Sequence, residues 1–361
     1  MSLAKCRKEL LNFLEGEKFS PCHVVVMPDF FMDRVINLPW TLSEFNAEIA
    51  NVAKHKGGSI DGIFQMDTKG GNSINTASAL SSLGVKVTPI ICTSNFGLQL
   101  IKYHFKDAPI DFSHIKIRDK ASITTALEFE GINEKINVML RDVGSLAEFN
   151  PTDLNSRDFE LIQKADYVCL FNWAGTLKYG TALAQVVFNH SKQSGRGKTY
   201  YDTADPNPNA EKITYFIENV LKTPNVDILS LNENEAITYA NLLEPNLKEK
   251  NSQLSSSESA MDAARVLSKY FLARIDLHTS LFSASIKGLH EVVVPSFKIK
   301  VLRATGAGDA WNAGNILGDN NNLSNECRLL LANAVSACYL SCATGMHPTK
   351  EKVANFIRAN M

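Results

Sequence analysis

The stretch "ATGAGDAWNAG", Ala304 to Gly314, sets Gly306, Ala307 and Gly308 ahead of an acid and then continues with helical spacing. Two glycines beside an acid are poor material for a helix interior. They suit a backbone that another group must approach closely. If residues 310 to 318 form a helix, Gly306 to Asp309 lie at its N-terminus, where unpaired N–H groups carry partial positive charge. Such an end binds anions, and glycines let a phosphate come close. Asp309 would repel a phosphate placed against it. The acid makes sense if a substrate hydroxyl lies between the two, giving its proton to Asp309 while it attacks a phosphoryl group. A glycine turn with Asp309 as a plain N-cap accounts for the same residues without chemistry.

The rest of the chain supplies the frame for this turn. Residues 3 to 15 have the pattern of a leading helix, and "HVVVMP" reads as a buried strand. "ADYVCLFN", "TYYDT", "VDILSLN", "ARIDLHT" and "LFSASI" are short apolar strands, most of them separated by helical stretches. That alternation predicts an α/β fold, a parallel sheet with helices on both faces. "ASITTALEFEGINEKINVMLRD" alternates on either side of a turn near "GINEK", the strongest hairpin signal in the chain. Segments near residues 29 to 40, 60 to 68 and 122 to 142 are expected to form a small sheet of their own. "NLKEKNSQLSSSES" is expected to be a surface loop, and two helices close the chain. The expected division is an N-terminal helical extension over 1–20 and one domain over 21–361.

Composition limits the function. The 361 residues are 45% apolar and 21% charged, with a net charge of −1, which disfavours a nucleic-acid binder relying on a basic surface. No apolar run reaches the ~18 residues a membrane helix needs, and the N-terminus lacks the apolar core of a signal peptide. The seven cysteines are scattered without a C-x-x-C, so they read as reduced core residues of a cytoplasmic protein. The histidines show no zinc spacing. "SGRGKTY" falls short of a P-loop, because the required first glycine is Lys192, and no dinucleotide G-x-G-x-x-G follows "HVVVM".

Two further motifs carry polar chemistry. "TKGGNSINTASALSSLG", residues 68 to 84, sets a second glycine pair before a helix, with Asn72, Ser73 and Asn75 able to bind polyol hydroxyls or to serve as ordinary caps. In "LSLNENEA", residues 229 to 236, Asn232 at a strand end and Glu235 three residues later fit either a hydrated Mg²⁺ near phosphates or a capping box. Both roles can hold at once. Trp173, in "FNWAGTLKYG", fits a stacking residue at a site's mouth or a core aromatic.

From about residue 22 onward the chain resembles the ribokinase-like (PfkB) family of carbohydrate and nucleoside kinases. "TGAGDAWNAG", "GGNSINTASALSSLG", "DTADPNPNAEKI" and "DILSLNENEA" carry the resemblance and occur in the family's order. It implies a three-layer α/β/α sandwich with a small β-sheet lid, and transfer of the γ-phosphoryl of ATP to a sugar or nucleoside hydroxyl with Mg²⁺. By the same resemblance Asp309 is the catalytic base and Gly306, Ala307 and Gly308 the anion hole. Asp33, Gly70, Gly71 and Asn75 fall at substrate-binding positions. Asn232 and Glu235 match the motif that places Mg²⁺ and phosphate, Glu235 through water. His278, Thr279 and Asn333 fall at nucleotide positions, Asn333 beside the adenine.

Two departures stand out. The family usually has Asp-Thr where this chain has Arg303 and Ala304, and that Asp commonly helps hold a monovalent cation. We expect the Arg303 guanidinium to supply the positive charge instead. "IDLHTSLFSAS" lacks the glycines common near the nucleotide, with His278, Thr279 and Ser280 in their place. The leading expectation is an ATP-dependent kinase of a small polyol. A nucleoside kinase, or a non-catalytic relative that binds a sugar or nucleotide, is the alternative, and a homodimer through an apolar lid strand is a further expectation.

Overall fold

The computed structural model describes residues 3–16, 20–106, 108–131, 136–194, 196–247, 251, 254–303 and 305–361. Ala304, the turn at 132–135 and residues 248–250, 252 and 253 of the stretch expected as a surface loop lie outside the described residues, and the end of that stretch is helical from Ser256. The strands in chain order are β1 (His23–Met27), β2 (Phe31–Asn37), β3 (Phe64–Gly70), β4 (Lys86–Pro89), β5 (Cys92–Thr93), β6 (Lys116–Ile117), β7 (Ser122–Phe129), β8 (Ile136–Asp142), β9 (Tyr167–Phe171), β10 (Lys198–Asp202), β11 (Ile228–Asn232), β12 (Arg274–His278), β13 (Phe282–Lys287) and β14 (His290–Pro295).

Eight strands form the central sheet in the order β14-β13-β12-β11-β10-β9-β1-β4. Those from β12 to β4 run parallel. β13 follows β12 after only three residues, too few for a crossover, so it returns antiparallel, and β14 pairs antiparallel with it. The β14 segment gives no alternating apolar signal strong enough to be foreseen. "VKVTPIIC", expected as one strand, is interrupted at 90–91 between β4 and β5.

Side-chain alternation divides the core into two layers. Val25 and Met27 of β1, Val168 and Leu170 of β9, and Leu229 and Leu231 of β11 pack on one face with helices Gly180–Ser194 and Ser256–Tyr270. Val24, Val26, Tyr167, Cys169 and Ile228 pack on the other with helices Leu3–Glu15, Ala307–Asn320 and Asn325–Leu340. Helices thus cover both faces of the sheet, the three-layer α/β/α arrangement. The residues expected as a separate N-terminal extension pack into this second layer through Cys6, Leu10 and Leu14.

A second sheet of four strands, β3-β2-β7-β8, stands apart from the first. Its last strand, β8, is exposed along its whole length, and Val138, Met139 and Leu140 meet solvent there. All seven cysteines are free thiols. Among the described residues no helix is long and apolar enough to cross a membrane.

Candidate active site

Two helices start at glycines with left-handed backbone, a conformation that side chains rarely adopt. Helix Ala307–Asn320 begins at Gly306 with φ 84°, and helix Asn72–Ser82 begins at Gly71 with φ 94°. Neither glycine can cap its helix with a side chain. At the first of these starts a cavity of about 860 Å³ opens, lined by Gly306, Ala307, Gly308 and Asp309 together with Asn232, Glu235, His278, Thr279 and Asn333. The fold therefore gathers these nine residues, expected as base, anion hole and nucleotide contacts, around one space at the C-terminal ends of β11 and β12. Open α/β sheets bind ligands at that end.

Asp309 sits at the inner wall, buried, and both of its oxygens are held. Asn72 Nδ2 donates to Oδ1 at 2.9 Å and Asn75 Nδ2 to Oδ2 at 3.1 Å. Burial drives its pKa well above the usual carboxylate range, the nearby charge of Asp202 adds to this, and the two amides oppose it. Asn72 lines the cavity, whereas Asn75 reaches Asp309 from outside it. Asn75, expected to bind a hydroxyl, is thus engaged with the acid in this structure. Lys69 Nζ donates to Asn75 Oδ1 at 3.3 Å, completing a line from ammonium to amide to carboxylate.

Asp33 lies on the second sheet, outside the cavity lining. Its carboxylate rests against Gly70, where an added Cβ would come within 1.9 Å of Oδ2, so only glycine fits beneath it. Its Oδ1 is buried with no partner among the described residues, and burial lifts its pKa to about 6 against the lowering effects of Thr124 and Arg141.

Asn232 and Glu235 form a reciprocal capping box. Asn232 Oδ1 accepts from the Glu235 N–H, and Glu235 accepts from both the backbone and the amide of Asn232. The cap also faces the cavity. Burial and the charge of Asp202 push the Glu235 pKa well above the carboxylate range. Among the described residues no three His, Cys, Asp or Glu side chains gather closely enough to hold a metal directly. Asp202 and Glu235 line the same cavity and repel one another, a pair that suits a hydrated divalent ion held through water.

His278 is half-buried against Trp311, with ring centroids 4.9 Å apart, and its Nε2 is enclosed with no partner among the described residues. Burial lowers its pKa to about 4, so the ring is neutral. An added Cβ at Gly308 would lie 3.3 Å from its Cε1. Thr279 spends its hydroxyl on the turn between β12 and β13, accepting from Leu281 and Phe282. Asn333 spends its amide inward on Ser283, Trp311 and Pro295. These two therefore line the cavity mainly as shape. Trp173 is a core aromatic stacked on Phe216 at 4.4 Å, not a residue at the mouth.

Sequence alone offers Asn72 as a hydroxyl binder or an ordinary cap, and in the fold it partners Asp309. Asp202, within the quoted "DTADPNPNAEKI", ends β10 and lines the cavity, a position at a parallel strand's end that signals a functional site. Lys69 had no local signal at all. Arg303 also lines the cavity, its guanidinium 4.8 Å from the Tyr339 ring centre, and an added Cβ on Gly306 would lie 2.6 Å from the same ring's hydroxyl.

Comparison with known proteins gives the family and the fold. Residues 49–352 match the pfkB family carbohydrate kinases, and the chain belongs to that family. Arabidopsis thaliana ribokinase, solved with ribose and ATP, is 17% identical with a TM-score of 0.70, covering 94% of this chain and 99% of its own. Sinorhizobium meliloti adenosine kinase is 16% identical with a TM-score of 0.70, covering 94% and 99%. Cryptococcus neoformans var. grubii ribokinase, solved with ADP, is 16% identical with a TM-score of 0.69, again covering 94% and 99%. No curated protein sequence matches the chain.

Proposed function

We propose that this protein is an ATP-dependent kinase that transfers the γ-phosphoryl group to a hydroxyl of a sugar or sugar derivative. The observation that carries the reading is the buried Asp309 beside the open helix start at Gly306, at the inner wall of the large cavity. The acceptor lies on the side of Asp33, Gly70, Gly71 and Asn75, beneath the second sheet acting as a lid. ATP occupies the cavity. The acceptor oxygen attacks the γ-phosphorus, its proton passes to Asp309, and the bond from the γ-phosphorus to the ADP oxygen breaks. The N–H groups of Gly306 to Asp309 take up charge on the transferred phosphoryl, and Arg303 supplies a fixed positive charge beside them. Asp202 and Glu235 would hold Mg²⁺ through water, and when bound the ion screens the phosphate charges. His278 lines the donor cavity.

The absence of glycine from residue 278 to 281 favours a second reading, a sugar- or nucleotide-binding relative without catalysis. A pure binder has no use for Asp309. A nucleoside acceptor is a third, resting on family membership alone. The deciding assay is ADP release with Mg-ATP over sugars, sugar acids and nucleosides. Release that needs one acceptor class and disappears in Asp309→Asn supports the kinase. Ligand binding without turnover supports the binder. We assign the protein to the cytoplasm on its free thiols, and a homodimer through the exposed apolar β8 is consistent with the lid.

A further inference from the structure

The acceptor side of Asp309 holds more positive charge than a neutral sugar can use. Asp33, Thr68, Thr124 and Arg141 are register partners across the four strands of the second sheet, so their side chains share one face. Phe31, two residues before Asp33, shares that face, and the Arg141 guanidinium lies 4.8 Å above its ring. Lys69 approaches from the end of β3. Its Nζ has Asn75 Oδ1 as hydrogen-bond acceptor and stands 5.4 Å over the Phe105 ring.

Neither cation has a carboxylate partner within ion-pair distance among the described residues. Several buried or half-buried cations elsewhere do, Lys116 with Asp158, Arg274 with Asp276 and Asp319, and Arg328 with Asp276, whereas Arg141 lies on an exposed strand. A half-buried ammonium whose only bond is to an amide is costly to keep charged. Its pKa is lowered to about 8, by burial first, with Asp309 and Asp33 opposing and Arg303 assisting.

The phosphoryl donor does not explain these two residues. Arg303 lines the donor cavity, whereas Lys69 and Arg141 do not. They flank Asp33 and Asp309, where the acceptor's hydroxyls go. We propose that the acceptor is an anionic polyol, its carboxylate or phosphate group bound by Lys69 and Arg141 while its hydroxyls meet Asp33 and Asp309. This rests on the kinase reading. Lys69 supplies a point charge and Arg141 a planar fork, a combination suited to an oxyanion.

The test measures ADP release with Mg-ATP on matched acceptors: ribose, ribose 5-phosphate and ribonate, then glucose, glucose 6-phosphate and gluconate, with adenosine as the uncharged nucleoside. The phosphate and aldonate arms separate the two oxyanion sources. We expect an anionic member to exceed its neutral parent in kcat/KM by at least about 30-fold, the scale of a paired charge at an interface. Lys69→Met should collapse that ratio through KM, and Lys69→Arg should restore part of it. Arg141→Gln, on an exposed strand, gives a second reading should the Lys69 variants fold poorly. Preference for a neutral sugar or adenosine, or an unchanged ratio in both charge-removing variants, overturns the proposal. If no acceptor is turned over, calorimetry with the same compounds decides separately. Binding of the anionic members alone keeps this inference while the kinase reading fails, and equal or absent binding of both kinds ends it.

Discussion

The helix starts at Gly71 and Gly306 share a left-handed glycine and a missing side-chain cap, yet they differ in what fills them. Asp29 closes the first. Its carboxylate accepts from the backbone N–H groups of Asn72 and Ser73, from the Ser73 hydroxyl and from the Asn172 amide. A helix end already holding its own anion has no room for a second. Among the described residues the start at Gly306 receives no carboxylate; it faces the large cavity and Arg303 lines that cavity too. From sequence alone the Gly306 turn reads as an anion site or a plain cap, and the Gly71 turn as a hydroxyl-binding turn or a plain cap. The position of one buried acid separates them: the Gly71 end is filled by Asp29, and the Gly306 end opens on the cavity, where the proposed function puts phosphate.

The largest effect should come from the open end. Asp309→Asn keeps the shape and removes the base, and kcat should fall by roughly 10² to 10⁴, the contribution of a general base. Near wild-type turnover in that variant would remove Asp309 from the chemistry. The closed end should respond in stability. Asp29→Asn turns one acceptor oxygen into a donor facing N–H or O–H groups, so unfolding in urea should show a loss of about 1–3 kcal/mol. If stability holds while ATP binding tightens, the Gly71 end is a second anion site and the contrast between the helix starts is wrong.

Much of this arrangement was legible before the structure. The alternation of "ADYVCLFN", "TYYDT" and "VDILSLN" with helices marks parallel strands β9, β10 and β11, because period and length are local properties. The glycine before Asp309 marks a helix start for the same reason. What was not legible depends on contacts between distant segments. Asn72 and Asp309 are 237 positions apart, and an amide beside a glycine pair reads equally well as cap, hydroxyl binder or clamp. Lys69 sits in a strand where Lys normally signals solvent, and only the packing of Phe105 and Asn75 turns it inward. Trp173 shows the converse, an aromatic beside a site motif that the fold consumes in its core.

A smaller effect should appear in the pH profile. As the proposed base Asp309 acts deprotonated, so kcat/KM should fall as pH drops through its raised pKa. Asn72 donates to the charged form and lowers that pKa. Asn72→Ala should therefore move the acidic limb to higher pH while the rate at alkaline pH changes less. A fall in rate with an unmoved limb would mean that Asn72 serves the cavity's shape rather than the state of the base.

The smallest expected effect is an absence of response. The closed helix end is neutralised by Asp29 and needs no outside charge. In the proposed reaction the open end stabilises a transferred phosphoryl, and a positive group beside it lowers the cost. Arg303 stands over the Tyr339 ring, its guanidinium 4.8 Å from the ring centre. With the guanidinium in place, exchanging K⁺ for a large organic cation at constant ionic strength should leave turnover unchanged. Arg303→Ala should lower turnover and create a response to added K⁺, because the vacated space is then open to a small cation. A several-fold rise with K⁺ in the unaltered protein would show that the positive charge at the open end comes from solution and that Arg303 does not supply it.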